Sequence, residues 1–311
     1  MEYHLLFHAP CFDGLVSAVF AADLLERPGR HLSFHPVGYG VKDRWLGSAP
    51  APSPFGVVDF LYHPAADFWV DHHRTAFLTE EARESYESRR AQGDRVLYDK
   101  EAPSCAALMW RQLPLPRRDR QREELAKATV KTDSARYESP REAVFGNAPP
   151  LVINRSLHGA SDALVLELLA LLREHPLREV AKHPAVVARA ADVDEAAQRA
   201  LGVVERRIRM IGTTAYLEWN ASDGPLNRYL PYLVCRDAAH SVVITHMGDG
   251  LSKLTAMRNP WLEPSSADIG VLVEALGGGG HRRVGSAFMR APDTDVRAAG
   301  SQLAKTLAAA T

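Results

Sequence analysis

The stretch Phe68-Trp69-Val70-Asp71-His72-His73 decides the reading of this chain. A short apolar run, the pattern of a buried strand, stops at one carboxylate and two imidazoles. The same arrangement recurs along the sequence. Tyr3 to His8 reads as a strand and runs into Cys11 and Asp13 within HAPCFDG (8–14). Phe55 to Phe60 reads as another and places Asp59 directly behind Val57-Val58. Asp133, in VKTDS (130–134), is taken as a fourth strand end, although the run before it is helix-prone. Adjacent histidines point different ways on any regular element, so His72 and His73 suit one metal ligand and one substrate contact.

Outward from these ends, strands alternate with helical patterns. Gly14 to Leu25 has apolar residues at helical spacing, and Leu32 to Val37 reads as a strand. This rhythm predicts an α/β fold with a parallel sheet, in which ligands bind beyond the carboxyl ends of strands. The middle is helical over Glu80–Gly93, Asp119–Thr132 and Ser161–Glu174. A long amphipathic helix follows over Ala185–Ile211, with a break expected near Gly202. Strands return at Thr213–Glu218, Tyr232–Arg236, Ser241–Met247 and Leu251–Arg258, with a turn at Gly248-Asp249-Gly250. A helix over Ala267–Leu276, the run Gly277 to Gly280 with His281, a strand near Ser286–Met289 and a helix over Thr294–Ala309 close the chain. The expected organisation is a parallel-sheet metal domain over 1–183, a connecting helix over 184–212, and a smaller mixed α/β domain over 213–311. The site is expected in the cleft between the domains.

Lys+Arg of 37 against Asp+Glu of 38 gives a net charge of −1, which argues against coating long nucleic acid by bulk charge. Three cysteines without a CxxC pair support neither a disulfide framework nor a zinc ribbon and suit a reducing cytoplasm. The first residues show neither the basic nor the apolar region of a signal peptide, and Ala163–Leu172 is too short to span a membrane.

Hydrolysing a phosphate ester near neutral pH needs an activated water and neutralised phosphoryl oxygens, which two divalent ions about 3.5–4 Å apart supply. His8, Asp13, Asp59, His72 and Asp133 are five suitable donors. Cys11 is read equally as a sixth donor or as an inert thiol. The mixed carboxylate and imidazole set favours two Mn²⁺ ions, with Mg²⁺ or Co²⁺ as alternatives.

The ordered set HAPCFDG, VVDF, VDHHRT, KTDS and GGGGHRRVGSAF resembles the DHH phosphoesterase superfamily with its C-terminal DHH-associated domain, over nearly the whole chain. The resemblance implies one metal held by His8 and Asp59, and a second held by Asp13, Asp59, His72 and Asp133, with Asp59 bridging. It implies that Asp71 orients an imidazole and that His73 faces the scissile phosphate. Gly278, Gly279, Gly280 and His281 would form a loop whose N–H groups cradle a substrate phosphate, and Arg258 would clamp a phosphate or carboxylate terminus. Cys11 stands where most members carry aspartate. The implied substrates are short oligonucleotides or nucleotides, as in oligoribonuclease-type members. An inorganic pyrophosphatase or polyphosphatase, and a nucleotide-binding protein with a degenerate metal site, are the rival readings. A homodimer is compatible with the sequence, which fixes no oligomeric state.

Overall fold

A computed structural model describes residues 1–263 and 266–310, apart from the side chain of His281. In the first half the order is β1 (Glu2–His8), α1 (Phe12–Leu25), β2 (His31–Val37), β3 (Phe55–Val58), β4 (Phe68–Asp71), α2 (Glu80–Ala91), β5 (Val96–Tyr98), α3 (Cys105–Gln112) and α4 (Arg120–Asp133). Helices α5 (Pro140–Phe145), α6 (Pro149–Ser156), α7 (Asp162–Glu174), α8 (Leu177–Val180) and α9 (Pro184–Arg207) follow. The last part runs β6 (Arg209–Ile211), β7 (Thr214–Asn220), α10 (Leu230–Val234), β8 (His240–Gly248), β9 (Leu251–Arg258), α11 (Ile269–Glu274), β10 (Gly279–His281), β11 (Val284–Arg290) and α12 (Asp293–Ala309). The chain divides into two compact units, one of residues 1–136 and 147–191, the other of residues 137–146 and 192–311.

The first unit is built on a five-stranded sheet in the order β2-β1-β3-β4-β5, with every pairing parallel. Strand residues alternate between two apolar layers, as the pleat demands. Leu5, Phe7, Val58, Phe68 and Val70 enter one layer with the buried helix α1. Leu6, Phe55, Val57 and Trp69 enter the other, with Phe60, Tyr62 and Tyr86. Burial on both faces explains why β3 and β4 are uninterrupted apolar runs. The strand order reverses between β1 and β3, and such a switch point opens a crevice at the carboxyl ends of its strands.

The second unit carries a six-stranded sheet in the order β10-β11-β9-β8-β7-β6, in which only β7 and β8 run parallel. Tyr216, Val242, Ile244, Leu254, Ala256 and Ala287 form its packed face, against α11 and α12.

Several expectations are corrected. The strand expected over Tyr232–Arg236 is helix α10, because Pro231 sits in the first turn, where its missing N–H costs nothing. Helix α9 passes through Gly202 unbroken, since the flanking Ala200 and Val204 are buried and tertiary packing outweighs one glycine. Its expected last turn is instead the strand Arg209–Ile211. Asp133 closes helix α4 rather than a strand.

Candidate metal centre

Three carboxyl ends of adjacent strands deliver most of the donors. His8 ends β1, Asp59 follows β3 directly, and Asp71 ends β4 with His72 and His73 behind it. Cys11 caps α1, and Asp13 lies in its first turn. That turn packs on the end of β1 so closely that a Cβ at Gly14 would lie 2.0 Å from the His8 carbonyl oxygen. Only glycine permits the approach that sets Asp13 beside His8.

Asp59 has φ +57°, the left-handed region that non-glycine residues seldom adopt, and aspartate is among the few that tolerate it. Its N–H still donates to the Val70 carbonyl at 2.9 Å, so the chain turns without leaving the sheet. The carboxylate is 1% exposed, and neither of its oxygens has a hydrogen-bond partner. A left-handed backbone and unpartnered polar atoms at one buried residue make Asp59 a candidate site residue.

His72 lies at the centre of the donor set. Its Nδ1 donates to the Ala102 carbonyl at 3.1 Å, which turns Nε2 toward the carboxylates. Nε2 lies 3.6 Å from Asp13 and 3.5 Å from each of Asp59 and Asp133, beyond good hydrogen-bond distance, and is itself buried without a partner. His8 Nδ1 is likewise partnerless and stands 3.5 Å from the other Asp59 oxygen. Burial, then the His73 charge, lowers the His8 pKa to about 4, so its imidazole is neutral and able to bind a cation. Burial, with Asp13 and nearby carboxylates adding to it, drives the Asp59 pKa well above the usual carboxylate range.

The donors fall into three groups with mutually close ligand atoms: His8, Cys11 and Asp59; Asp59, His72 and His73; and Asp13, His72 and Asp133. Asp59 thus shares a group with residues on either side. Asp13, Asp59 and Asp71 are all buried, and like charges at this spacing are held together only by a cation or a proton. The unpartnered nitrogens and oxygens and the hard-donor chemistry fit divalent ions. Cys11 Sγ joins the first group as a thiol, its pKa pushed up to about 12 by burial and then by Asp13 and Asp133.

Around the donors lies a supporting set. Asp13 accepts the backbone N–H groups of Cys105 at 2.6 Å and Ala106 at 3.0 Å, at the N-terminus of α3. Asp71 accepts His73 Nδ1 at 2.7 Å and the His72 N–H at 2.7 Å. It therefore orients His73, while a backbone carbonyl orients His72. Burial acts to lower the His73 pKa, but the Asp71 charge and hydrogen bond outweigh it and raise it to about 9. His73 is thus a protonated donor at neutral pH. Tyr39, after β2, packs its ring 5.1 Å from His8 and was not picked out from the sequence. Its one signal there is an aromatic residue set between two glycines, Gly38 and Gly40.

The remaining candidates lie in the second unit. Arg258 ends β9, and its Nε is buried without a partner. Burial and the charges of Arg283 and Arg282 weaken its hold on its proton. No ion pair links these three guanidiniums to a carboxylate among the described residues, and Arg282 and Arg283 are exposed. The glycine run differs from the loop expected. Gly279–His281 is an edge strand paired with β11, and an edge strand keeps one row of backbone groups unpaired. Gly278 and Gly280 are required by packing, since a Cβ would meet Ser286 O at 2.3 Å and Val284 O at 2.4 Å. Gly279 is not, because its Cβ would point into open space. The side chain of His281 lies outside the described residues.

No family model and no curated sequence matches the chain. Solved structures do. The pGpG-specific phosphodiesterase PggH from Vibrio cholerae superposes with a TM-score of 0.75 at 18% identity, covering 99% of this chain and 100% of that one. An exopolyphosphatase-related protein from Bacteroides fragilis gives a TM-score of 0.53 at 11% identity, covering 99% and 93%. RecJ in complex with Mn²⁺ from Thermus thermophilus gives 0.55 at 16%, covering 99% of this chain but 52% of RecJ. The chain shares the fold of these structures, a parallel-sheet α/β unit and a second unit with a mixed sheet. Among the described residues no helix is long and apolar enough to cross a membrane.

Proposed function

We propose that this protein is a metal-dependent phosphodiesterase that hydrolyses short, phosphate-terminated oligonucleotides or nucleotides in the cytoplasm. The observation that carries the reading is Asp59, held left-handed and buried, with both oxygens partnerless between His8 and His72. His8, Asp59 and Cys11 would hold one divalent ion, and Asp13, Asp59, His72 and Asp133 a second, with Mn²⁺ the favoured metal. When bound, the ions supply an activated water and neutralise the phosphoryl oxygens. RecJ, of the same fold, was solved with Mn²⁺.

The side chains have separable tasks. Asp13, fixed by the α3 amides, and His72, fixed by the Ala102 carbonyl, keep their donor atoms in place without rotamer freedom. Protonated His73, aligned by Asp71, donates a hydrogen bond to a phosphoryl oxygen or to the leaving oxygen. Arg258 with Arg282 and Arg283 binds a terminal phosphate, and backbone amides of the run Gly278–Gly280 contribute. PggH acts on pGpG by its name, which supports a linear dinucleotide as the substrate class.

The test is a panel run with Mn²⁺ on a 5′-phosphorylated dinucleotide, a 3′,5′-bisphosphonucleotide, a cyclic dinucleotide and pyrophosphate. The linear dinucleotide should be cleaved fastest. Hydrolysis of pyrophosphate alone would replace this reading with that of a pyrophosphatase.

A further inference from the structure

Tyr39 opens the 3₁₀ turn Tyr39–Arg44 that follows β2. One side of its ring is walled in. His8 meets it at 5.1 Å between centroids and 72° between planes, and Phe60 at 5.1 Å and 46°. Phe60 is itself buried against Trp45 at 4.9 Å, so the wall behind Tyr39 is rigid. His73 stands edge-on 6.5 Å away. Yet Tyr39 remains 41% exposed. Other large apolar residues are exposed too, and single ones need no explanation. Among the described residues, however, Tyr39 is the one of these whose ring packs on both His8 and His73. A fixed aromatic surface open to solvent therefore stands beside a candidate metal ligand and the candidate proton donor.

We propose that Tyr39 is the platform on which the base next to the scissile phosphate stacks, so that it selects nucleotide esters over base-free phosphates. This rests on the phosphodiesterase reading above and names a residue that enforces its substrate class. Every base has a π-face, so such a platform favours nucleotides without reading their sequence. The ring is the working part.

The experiment compares kcat and KM of the Mn²⁺-loaded full-length protein on a 5′-phosphorylated dinucleotide and on analogues lacking either one of its two bases. The readout is the ratio of kcat/KM on the intact dinucleotide to that on each analogue. In the wild type, loss of one particular base should weaken kcat/KM by a factor on the order of 10. Tyr39→Leu should collapse that ratio toward 1, chiefly through KM, and Tyr39→Phe should restore it. Thermal melting with and without Mn²⁺ checks that each variant is folded and still binds metal. If Tyr39→Phe loses as much as Tyr39→Leu, the hydroxyl matters and stacking is rejected. If Tyr39→Leu slows intact and abasic substrates equally, the ring only supports His8 and the proposal is overturned. If the wild type cleaves pyrophosphate but none of the dinucleotides, the phosphodiesterase reading fails first and the platform falls with it.

Discussion

The two units gather charge of opposite sign. In the first, Asp13, Asp59 and Asp71 are buried close together with Asp133 nearby, and His73 is paired with Asp71. In the second, Arg258, Arg282 and Arg283 gather with no carboxylate paired to them among the described residues. Burying like charges without compensation opposes folding at the acid cluster, whereas Arg258 is half-buried and Arg282 and Arg283 are exposed. On the function proposed above, the parallel sheet would take cations and the mixed one anionic phosphate. A metal-dependent phosphoesterase requires both.

The strongest way to break this contrast is at Asp59. Asp59→Ala removes the donor shared by two groups, and hydrolysis of the dinucleotide should fall by a factor on the order of 10³ or more, with the melting profile still cooperative. A folded variant with half the wild-type rate would show that the acid cluster is not the catalytic centre.

Arg258→Met tests the opposite charge. KM for a 5′-phosphorylated dinucleotide should rise roughly 10- to 100-fold, the loss of a charge-assisted phosphate contact, while Mn²⁺ binding stays at the wild-type level. An equal loss on a dinucleotide lacking the terminal phosphate would remove the anion-site assignment.

How much of this was legible follows from the distance over which each feature is specified. The candidate donors His8, Asp13, Asp59 and His72 could be picked out because each lies at or just past the end of an apolar run, and a parallel sheet gathers strand ends. Their holders could not. The α3 amides that fix Asp13 are 92 and 93 residues away in sequence, and the carbonyl that fixes His72 belongs to Ala102, whose side chain carries no signal. Asp71 was legible as a partner for an imidazole, but which imidazole depends on side-chain geometry. The glycine run read as a loop because composition does not show that β11 is available for pairing. Tyr232–Arg236 read as strand from its alternation, whereas Pro231 just before it starts a helix.

A smaller effect separates the glycines of the second unit. Gly279→Val should raise KM about 10-fold and leave melting and metal binding unaltered, since nothing lies where its Cβ would point. Gly280→Ala should instead destabilise by about 1–3 kcal/mol, because its Cβ would strike β11. Normal dinucleotide kinetics for Gly279→Val would show that β10 does not touch the substrate.

The smallest expected effect is at Cys11, whose thiol titrates near 12 without a cation. Metal-free protein should be alkylated slowly at Cys11 under alkaline conditions, and Mn²⁺ should suppress even that labelling if the sulfur is a ligand. Equal labelling with and without Mn²⁺, located by peptide mapping, would leave Cys11 as an inert thiol.

The most direct measurement is a calorimetric titration of metal-free protein with Mn²⁺, in parallel for the wild type, Asp59→Asn and Arg258→Met. Two ions per chain are expected for the wild type and for Arg258→Met, with most of that binding lost in Asp59→Asn. Undiminished Mn²⁺ binding by Asp59→Asn, or none by the wild type, would contradict the assignment of the buried acid cluster as a metal centre.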